Sequence, residues 1–579
     1  MRINLIMVGN QFTIRKLRWA ELLILALIAM ALLATAALSL HVDLRHSIFS
    51  SALLKRADII RIALLAYGLF FASLALASAA MIRHHGSTLS EQVVRSLAGE
   101  FSSIRQWLAR AVGLREIAFW LPVVTALGLT LRGYFLAQPM RYDEAFTFLN
   151  FVNKRYFYLF FYPGPNNHVF HTLLVRASVA VFGSYPVAIR LPALLAGVFV
   201  IHASFLLARL LFKGRGGFLA SALVAVFPFL VLYDTMARGY SWVVLLSLWL
   251  AILGLRFSSK PSMATCFLMS LTTALGILTM PSFLFPTVGL ILWVGLLMLI
   301  RKTGLKCVCK LLILPFGTMT IILTGLFYTP VMIVSNGINT IVSNPFVAGM
   351  SWKSFLKRLP SHCTETLASF SRDVPLVVLL TMLILILAGL FAAAKKQNWE
   401  VLILLPALVI GASVTLSMLH NIPFPRTWIF FLPFLFLFVD GGWLEFKRLI
   451  PSGFDSSLRC ALLIAVSFWA VALMNHNVIA SYPDTGQFPE AQVVADILSK
   501  EMSHGDTLQA ARPADVPLYF YLWYKGIPAC KGSLDISRQK LFFVVKPSRY
   551  SLSDLTHGSV RKIVAFGDAE VYVRDLSEK

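Results

Sequence analysis

The chain reads as a succession of long apolar runs separated by short polar links. Runs of roughly twenty apolar residues mark membrane spans. They fall near 19–40, 59–82, 117–137, 187–211, 218–232, 241–257, 263–280, 282–300, 311–334, 374–394, 400–419, 427–446 and 459–476, about thirteen helices. The links decide which side each end faces. With the N-terminus inside, as Arg15, Lys16 and Arg18 direct, the inner links carry Arg83, Arg95, Arg105, Arg110 and Arg115, then Lys213 and Arg215, and Arg256 and Lys260. Further along they carry Arg301 through Lys310, Lys395 and Lys396, and Lys447 and Arg448, the bias expected of inner loops. The link at 41–58 is the exception, because it leaves Arg45, Lys55 and Arg56 outside. The first span, followed by Ala36 and Ala37, also reads as a cleavable signal sequence, and its removal leaves every later orientation unchanged. Segment 169–183 is apolar too, but a span there would place Lys213 and Arg215 outside and invert all later links. It is expected to lie along the outer surface as a helix.

The pattern changes at about 477. Beyond it, charges of both signs and turn sequences such as Tyr482-Pro483-Asp484 surround a helical pattern at 489–503 and β-rich runs at 541–545, 563–566 and 571–573. A tail of roughly a hundred residues can bury a modest core of its own. Three regions are therefore expected: 1–116, a membrane hairpin and a basic, amphipathic inner segment; 117–476, the main membrane domain; and 477–579, a small outer α/β domain. No catalytic constellation appears in the tail, so binding or gating is its expected role. The expected fold class is an all-α polytopic membrane protein with a small C-terminal α/β domain.

Composition agrees. With 58% hydrophobic and 13% charged residues and a mean hydropathy of +0.76, the 579-residue chain lies outside the range of soluble proteins. The net charge of +24 would suit nucleic acid, but the Lys and Arg residues sit mostly in clusters between apolar runs, where they set topology. No nucleic-acid partner is expected. Among six cysteines no metal-type spacing occurs; Cys363 and Cys530 face outside, where a disulfide is permitted.

Polar chemistry gathers on the outer side. Asp143 and Glu144 follow directly on a span, and acids at a membrane edge are functional candidates. The same long loop, 139–186, holds Tyr142, Asn166, Asn167, His168 and His171. A tight outer turn carries Asp234, Arg238 and Tyr240, and a later one carries Arg426 behind Pro423 and Pro425. Each has a bland alternative. Asp143 could cap a helix, Glu144 could hold Arg141 or a neighbouring helix, and Asp234 could pair with Arg238 four residues on. Arg238 and Arg426 could snorkel to headgroups. His168 and His171, three apart, share a helical face and are candidates for holding a divalent metal with an acid; capping by the asparagines and interfacial placement of the rings are the competing readings.

Several motifs in order, Tyr142-Asp143-Glu144-Ala145, Pro165-Asn166-Asn167-His168, Phe182-Gly183, Arg190-Leu191-Pro192 and Ala237-Arg238-Gly239-Tyr240, resemble the GT-C membrane glycosyltransferases. The group they resemble comprises bacterial relatives of protein O-mannosyltransferases and lipid A aminoarabinose transferases. The resemblance implies an inverting transfer of sugar from a polyprenyl-phosphate donor to a lipid, glycan or protein acceptor on the outer side of the bacterial inner membrane. It implies Asp143 as base, with Glu144 and Asp234 as further catalytic acids. Arg238 and Arg426 then meet the donor phosphate, and Tyr142, Asn166, Asn167, His168 and Tyr240 form the substrate loop. Some relatives carry Glu-Lys-Pro where Asn166-Asn167-His168 stands here. A transporter or flippase is the competing class. Such proteins place ionisable residues at the bilayer midplane in repeated halves, whereas here they collect at one edge and no halves repeat.

Overall fold

The computed structural model describes residues 87–111, 116–335, 349–484, 486–503, 506–527, 530–531, 540–556 and 559–575. The spans expected at 19–40 and 59–82 lie outside the described residues. Two compact units divide between Gln106 and Trp107. Helix Ser87–Ala111 occupies most of the segment expected to lie on the inner surface.

Among the described residues, nine helices are long and apolar enough to cross a membrane: Ala118–Leu136, Pro186–Leu211, Tyr240–Ser259, Pro281–Ile300, Leu305–Val334, Leu376–Lys395, Trp399–Leu419, Pro425–Lys447 and Asp455–Asn475. Each coincides with an expected span. In lipid every backbone polar group must be satisfied within the segment, which leaves the helix as the solution for such runs. Prolines mark many of the starts, Pro122, Pro186, Pro228, Pro281, Pro315 and Pro425 among them. At the first helical turn a missing N–H costs nothing.

Among the described residues, two expected spans are not single long helices. The expected span 218–232 is two short helices, Phe218–Val226 and Pro228–Asp234, because Pro228 has no N–H to continue the ladder and Phe227 turns extended before it. Met263–Thr279 is apolar but only 17 residues long. Segment 169–183 forms the 14-residue helix Val169–Phe182, which ends at Gly183 with φ 84°.

The C-terminal region holds helices Ala491–Glu501 and Asp515–Tyr524 and a mixed sheet. Its strands are β1 (Thr507–Ala510), β2 (Cys530–Lys531), β3 (Lys540–Val545), β4 (Arg561–Phe566) and β5 (Ala569–Asp575), in spatial order β2-β1-β3-β5-β4. β1 runs parallel to β2 and β3, while β5 lies antiparallel between β3 and β4. β3, β4, β5 and the first helix fall where the sequence places them. β1 and β2 are too short to show an alternation, and Asp515–Tyr524 is so aromatic that its helical period is hidden.

This region does not pack on itself alone. Its core residues Leu498, Leu518, Phe520 and Phe542 form one cluster with Met140, Ala145, Phe148 and Val152 of the first loop. Phe148 sits edge-on to Phe520 and Trp523, at ring distances of 5.4 and 4.9 Å. The Met140 N–H donates to the Tyr521 hydroxyl at 3.0 Å, and the Tyr142 N–H to the Gly486 carbonyl at 3.0 Å. The C-terminal region thus clamps the short helix Tyr142–Thr147, on which the acidic pair stands.

Candidate functional site

Helix Tyr142–Thr147 begins after Arg141, so Asp143 and Glu144 occupy its first turn, where carboxylates suit the helix dipole. They face opposite fates. Glu144 is fully buried, and all its capacity is used: Oε1 takes the Arg141 N–H at 2.8 Å and an Arg190 Nη2 donor, and Oε2 takes Arg190 Nε at 3.0 Å and the Ala237 N–H at 2.9 Å. Burial opposes its charge, yet Arg190 and the two N–H donors prevail and hold the carboxyl below its ordinary value. Arg190 in turn donates to the carbonyls of Leu136, Gln138 and Pro139. Glu144 therefore ties the first loop to helix Pro186–Leu211 and to the turn at Ala237. Of the two partners expected for a structural Glu144, Arg141 or a neighbouring helix, the side chain meets the second through Arg190. It also supplies the helix cap that the sequence left open for Asp143.

Asp143 remains available. Its carboxylate stands 3.9 Å from Arg238 Nη2 and 3.7 Å from Arg426 Nη2, and accepts no hydrogen bond among the described residues. It is one-fifth exposed, at 18%. Arg238 is buried: Nη1 donates to Thr147 Oγ1 at 3.1 Å, to the Asn166 carbonyl at 2.8 Å and to Asn166 Oδ1, while Nε has no partner among the described residues. Arg426 donates through Nε to the Tyr240 hydroxyl at 2.7 Å and through Nη1 to Asp484 at 2.6 Å, and its guanidinium lies 4.3 Å over Phe424. Asp484 also accepts from the Tyr233 hydroxyl.

Asp484 was not among the expected site residues. The sequence showed it only as part of a turn just after the last span, and a return into the site is invisible to local pattern. Arg141 makes that return: its guanidinium donates to the carbonyls of Ile479 at 2.7 Å, Tyr482 at 2.6 Å and Asp484 at 2.9 Å.

The structure moves Asp234 away from this group. Helix Pro228–Asp234 ends there, so Asp234 and Arg238 share no helical face. Asp234 instead takes Nε and Nη2 of Arg132 at 2.9 and 2.6 Å, in a pocket that only Gly197 leaves open. Arg132 also binds the carbonyls of Gly128, Val224 and Ala225. Asp234, expected as a second acid of the site, is thus a buried ion pair with Arg132 and is not brought together with Asp143.

The loop residues divide similarly. Asn166 positions Arg238, whereas Asn167 is buried and spends its amide on the Leu159 and Phe161 carbonyls and its oxygen on Thr172. Tyr142 packs under Gly486 and stacks on Phe146. Tyr240 carries Arg426 and meets the His168 ring edge-on at 5.4 Å. His168 Nδ1 accepts the Gly239 N–H at 2.8 Å, and its Nε2 faces Arg238 at 3.1 Å. Burial, then Arg238, pushes this imidazole well below its usual value, and the same two causes push buried His171 down to about 3. A divalent metal does not fit these two histidines. One nitrogen of His168 is taken by backbone, the other faces a guanidinium, and no three His, Cys, Asp or Glu side chains gather into a metal-holding group among the described residues.

This arrangement, a loop-borne acid between two arginines at one end of a polytopic helical bundle, stands on a known fold. No family model matches the chain, and no curated protein does. Among solved structures, ArnT from Cupriavidus metallidurans in the apo state matches with a TM-score of 0.53 at 15% identity, over 79% of this chain and 98% of that one. The same protein bound to undecaprenyl phosphate matches with a TM-score of 0.53 at 15% identity, over 78% and 98%. The chain is a multi-pass membrane protein with an ArnT-like fold.

Proposed function

We propose that the chain is an inverting glycosyltransferase that moves a sugar from a polyprenyl-phosphate donor to an envelope acceptor at the outer side of the bacterial inner membrane. One observation carries this reading: the unbonded Asp143 carboxylate sits between Arg238 and Arg426 at 3.9 and 3.7 Å. The acceptor hydroxyl loses its proton to Asp143 as its oxygen attacks the anomeric carbon. The sugar–phosphate bond breaks on the opposite face, and the electron pair leaves with the phosphate. Arg238 and Arg426 meet the charge that develops there, since guanidinium forks match phosphate oxygens. Arg238 Nε is a buried donor without a partner, and an incoming anion would satisfy it. ArnT bound to undecaprenyl phosphate supports a lipid-phosphate donor by fold likeness. A flippase gains no support, because the charged group lies at the helix ends.

The acceptor class follows from experiment. Envelope glycolipids and glycoproteins compared by mass spectrometry, with the gene intact and deleted, should show one sugar missing from one acceptor in the deletion. An unchanged envelope in cells that express the protein would defeat the proposal.

A further inference from the structure

At the other end of helix Pro425–Lys447, 23 residues and so about 34 Å from Arg426, lies a cavity of about 1020 Å³. It has no place in the transfer reaction. Eight Lys and Arg residues line it against three acids. The acids are engaged already: Glu400 with Arg301 at 2.5 Å, Glu445 with Lys396 and Arg448, and Asp455 with Lys447 at 2.5 Å. The exposed side chains of Lys213 and Arg215 have no ion-pair or hydrogen-bond partner among the described residues. Apolar side chains share the lining, Phe212, Ile300, Trp443 and Leu444 among them.

The loop that presents these two cations is built at some cost. Lys213, Gly214, Gly216 and Gly217 all take positive φ, from 54 to 92°. A Cβ at Gly216 would strike the Asp440 carboxylate, and one at Gly217 would strike Phe205. Asp440, fully buried, accepts from the Gly217, Leu219 and Ala220 N–H groups at 2.6, 2.9 and 3.3 Å. A buried carboxylate is expensive, and here it is devoted to the N-terminus of helix Phe218–Val226 and so to the loop before it. The loop is thereby fixed before any ligand arrives. Positive-inside bias alone would be met by lysines on a mobile link.

We infer that this cavity binds the phosphate-bearing headgroup of an anionic membrane phospholipid, with Lys213 and Arg215 on the phosphate and the apolar side chains on the glycerol and upper chains. Its position between span ends, at headgroup depth, and its mixed wall favour a lipid over a soluble anion.

Native mass spectrometry of the full chain, titrated with phosphatidylglycerol in detergent, tests this. Lys213→Gln with Arg215→Gln should weaken the tightest lipid site about tenfold or more. Lys302→Gln with Lys306→Gln removes equal charge from the same face outside the cavity and should leave that site unchanged. Gly216→Ala keeps both cations but disturbs the loop, and should weaken binding as well. Equal loss in the two charge-matched pairs would overturn the inference, as would displacement of the lipid by millimolar inorganic phosphate.

Discussion

The two ends of helix Pro425–Lys447 hold cations in opposite ways. At the site end, Arg238 is buried and Arg426 is partly buried, their forks held by Asn166, Thr147, Tyr240 and Asp484, and one carboxylate, Asp143, is left without hydrogen bonds among the described residues. At the far end, Lys213 and Arg215 are exposed beside a cavity, and the buried carboxylate, Asp440, is spent entirely on backbone. Chemistry needs charges held to fractions of an ångström, which fixed hydrogen-bond partners provide. Recognition of a mobile headgroup needs only a firm platform and an electric field. The acid left free at the first end and the cations left free at the second mark what each end is for.

The sharpest contrast within the site end is between neighbours, Asp143 and Glu144. Glu144→Ala strands a buried Arg190, so folding stability should fall by about 3–5 kcal/mol, whereas Asp143→Asn should unfold near the wild-type midpoint. Equal unfolding midpoints in detergent would erase the distinction.

Next in size are the arginines. Arg238→Lys or Arg426→Lys keeps the charge but loses the planar fork. Binding of an isoprenyl phosphate should weaken by about 1.5–3 kcal/mol, while the neutral isoprenol binds as before. Parallel weakening of both ligands would make the arginine a wall of the lipid groove.

A pH-dependent effect follows from His168 and His171, whose folded pKa values lie below the ordinary 6.5. Below about pH 6.5 the unfolded chain binds protons that the folded chain refuses, so stability is present above that pH and is lost as pH falls. The loss should approach about 1.4 kcal/mol per pH unit for each histidine. A flat unfolding midpoint between pH 7 and 5 would contradict the buried, neutral state of these rings.

The smallest change is expected at Asp484. Removing its charge in Asp484→Asn frees Arg426 Nη1 for the donor phosphate, and binding of isoprenyl phosphate should tighten by up to about fivefold, the range of a partly exposed ion pair. Weaker binding would instead make Asp484 a support that Arg426 needs.

Much of this was legible because membrane spans announce themselves: among the described residues, all nine long helices coincide with apolar runs. The sequence also singled out Asp143, Arg238 and Arg426, and each arginine folds to within 4 Å of the Asp143 carboxylate, since outer-face charge in such a chain is rare. Partner choice was not legible. Glu144 finds Arg190 46 residues away and Asp234 finds Arg132 102 residues away, while nearer arginines stood in each sequence neighbourhood. Asp484 reaches the site only because Arg141 gathers the carbonyls behind the last span. Such long-range pairings depend on how helices pack, which no local pattern records.

The central claim is that Asp143 takes the acceptor's proton. Turnover of purified Asp143→Asn with a polyprenyl-phosphate sugar, measured alongside donor affinity, tests it most directly. A fall in turnover of about a hundredfold or more, with donor binding within a few fold of wild type, is the expected result; near-normal turnover in folded Asp143→Asn would contradict it.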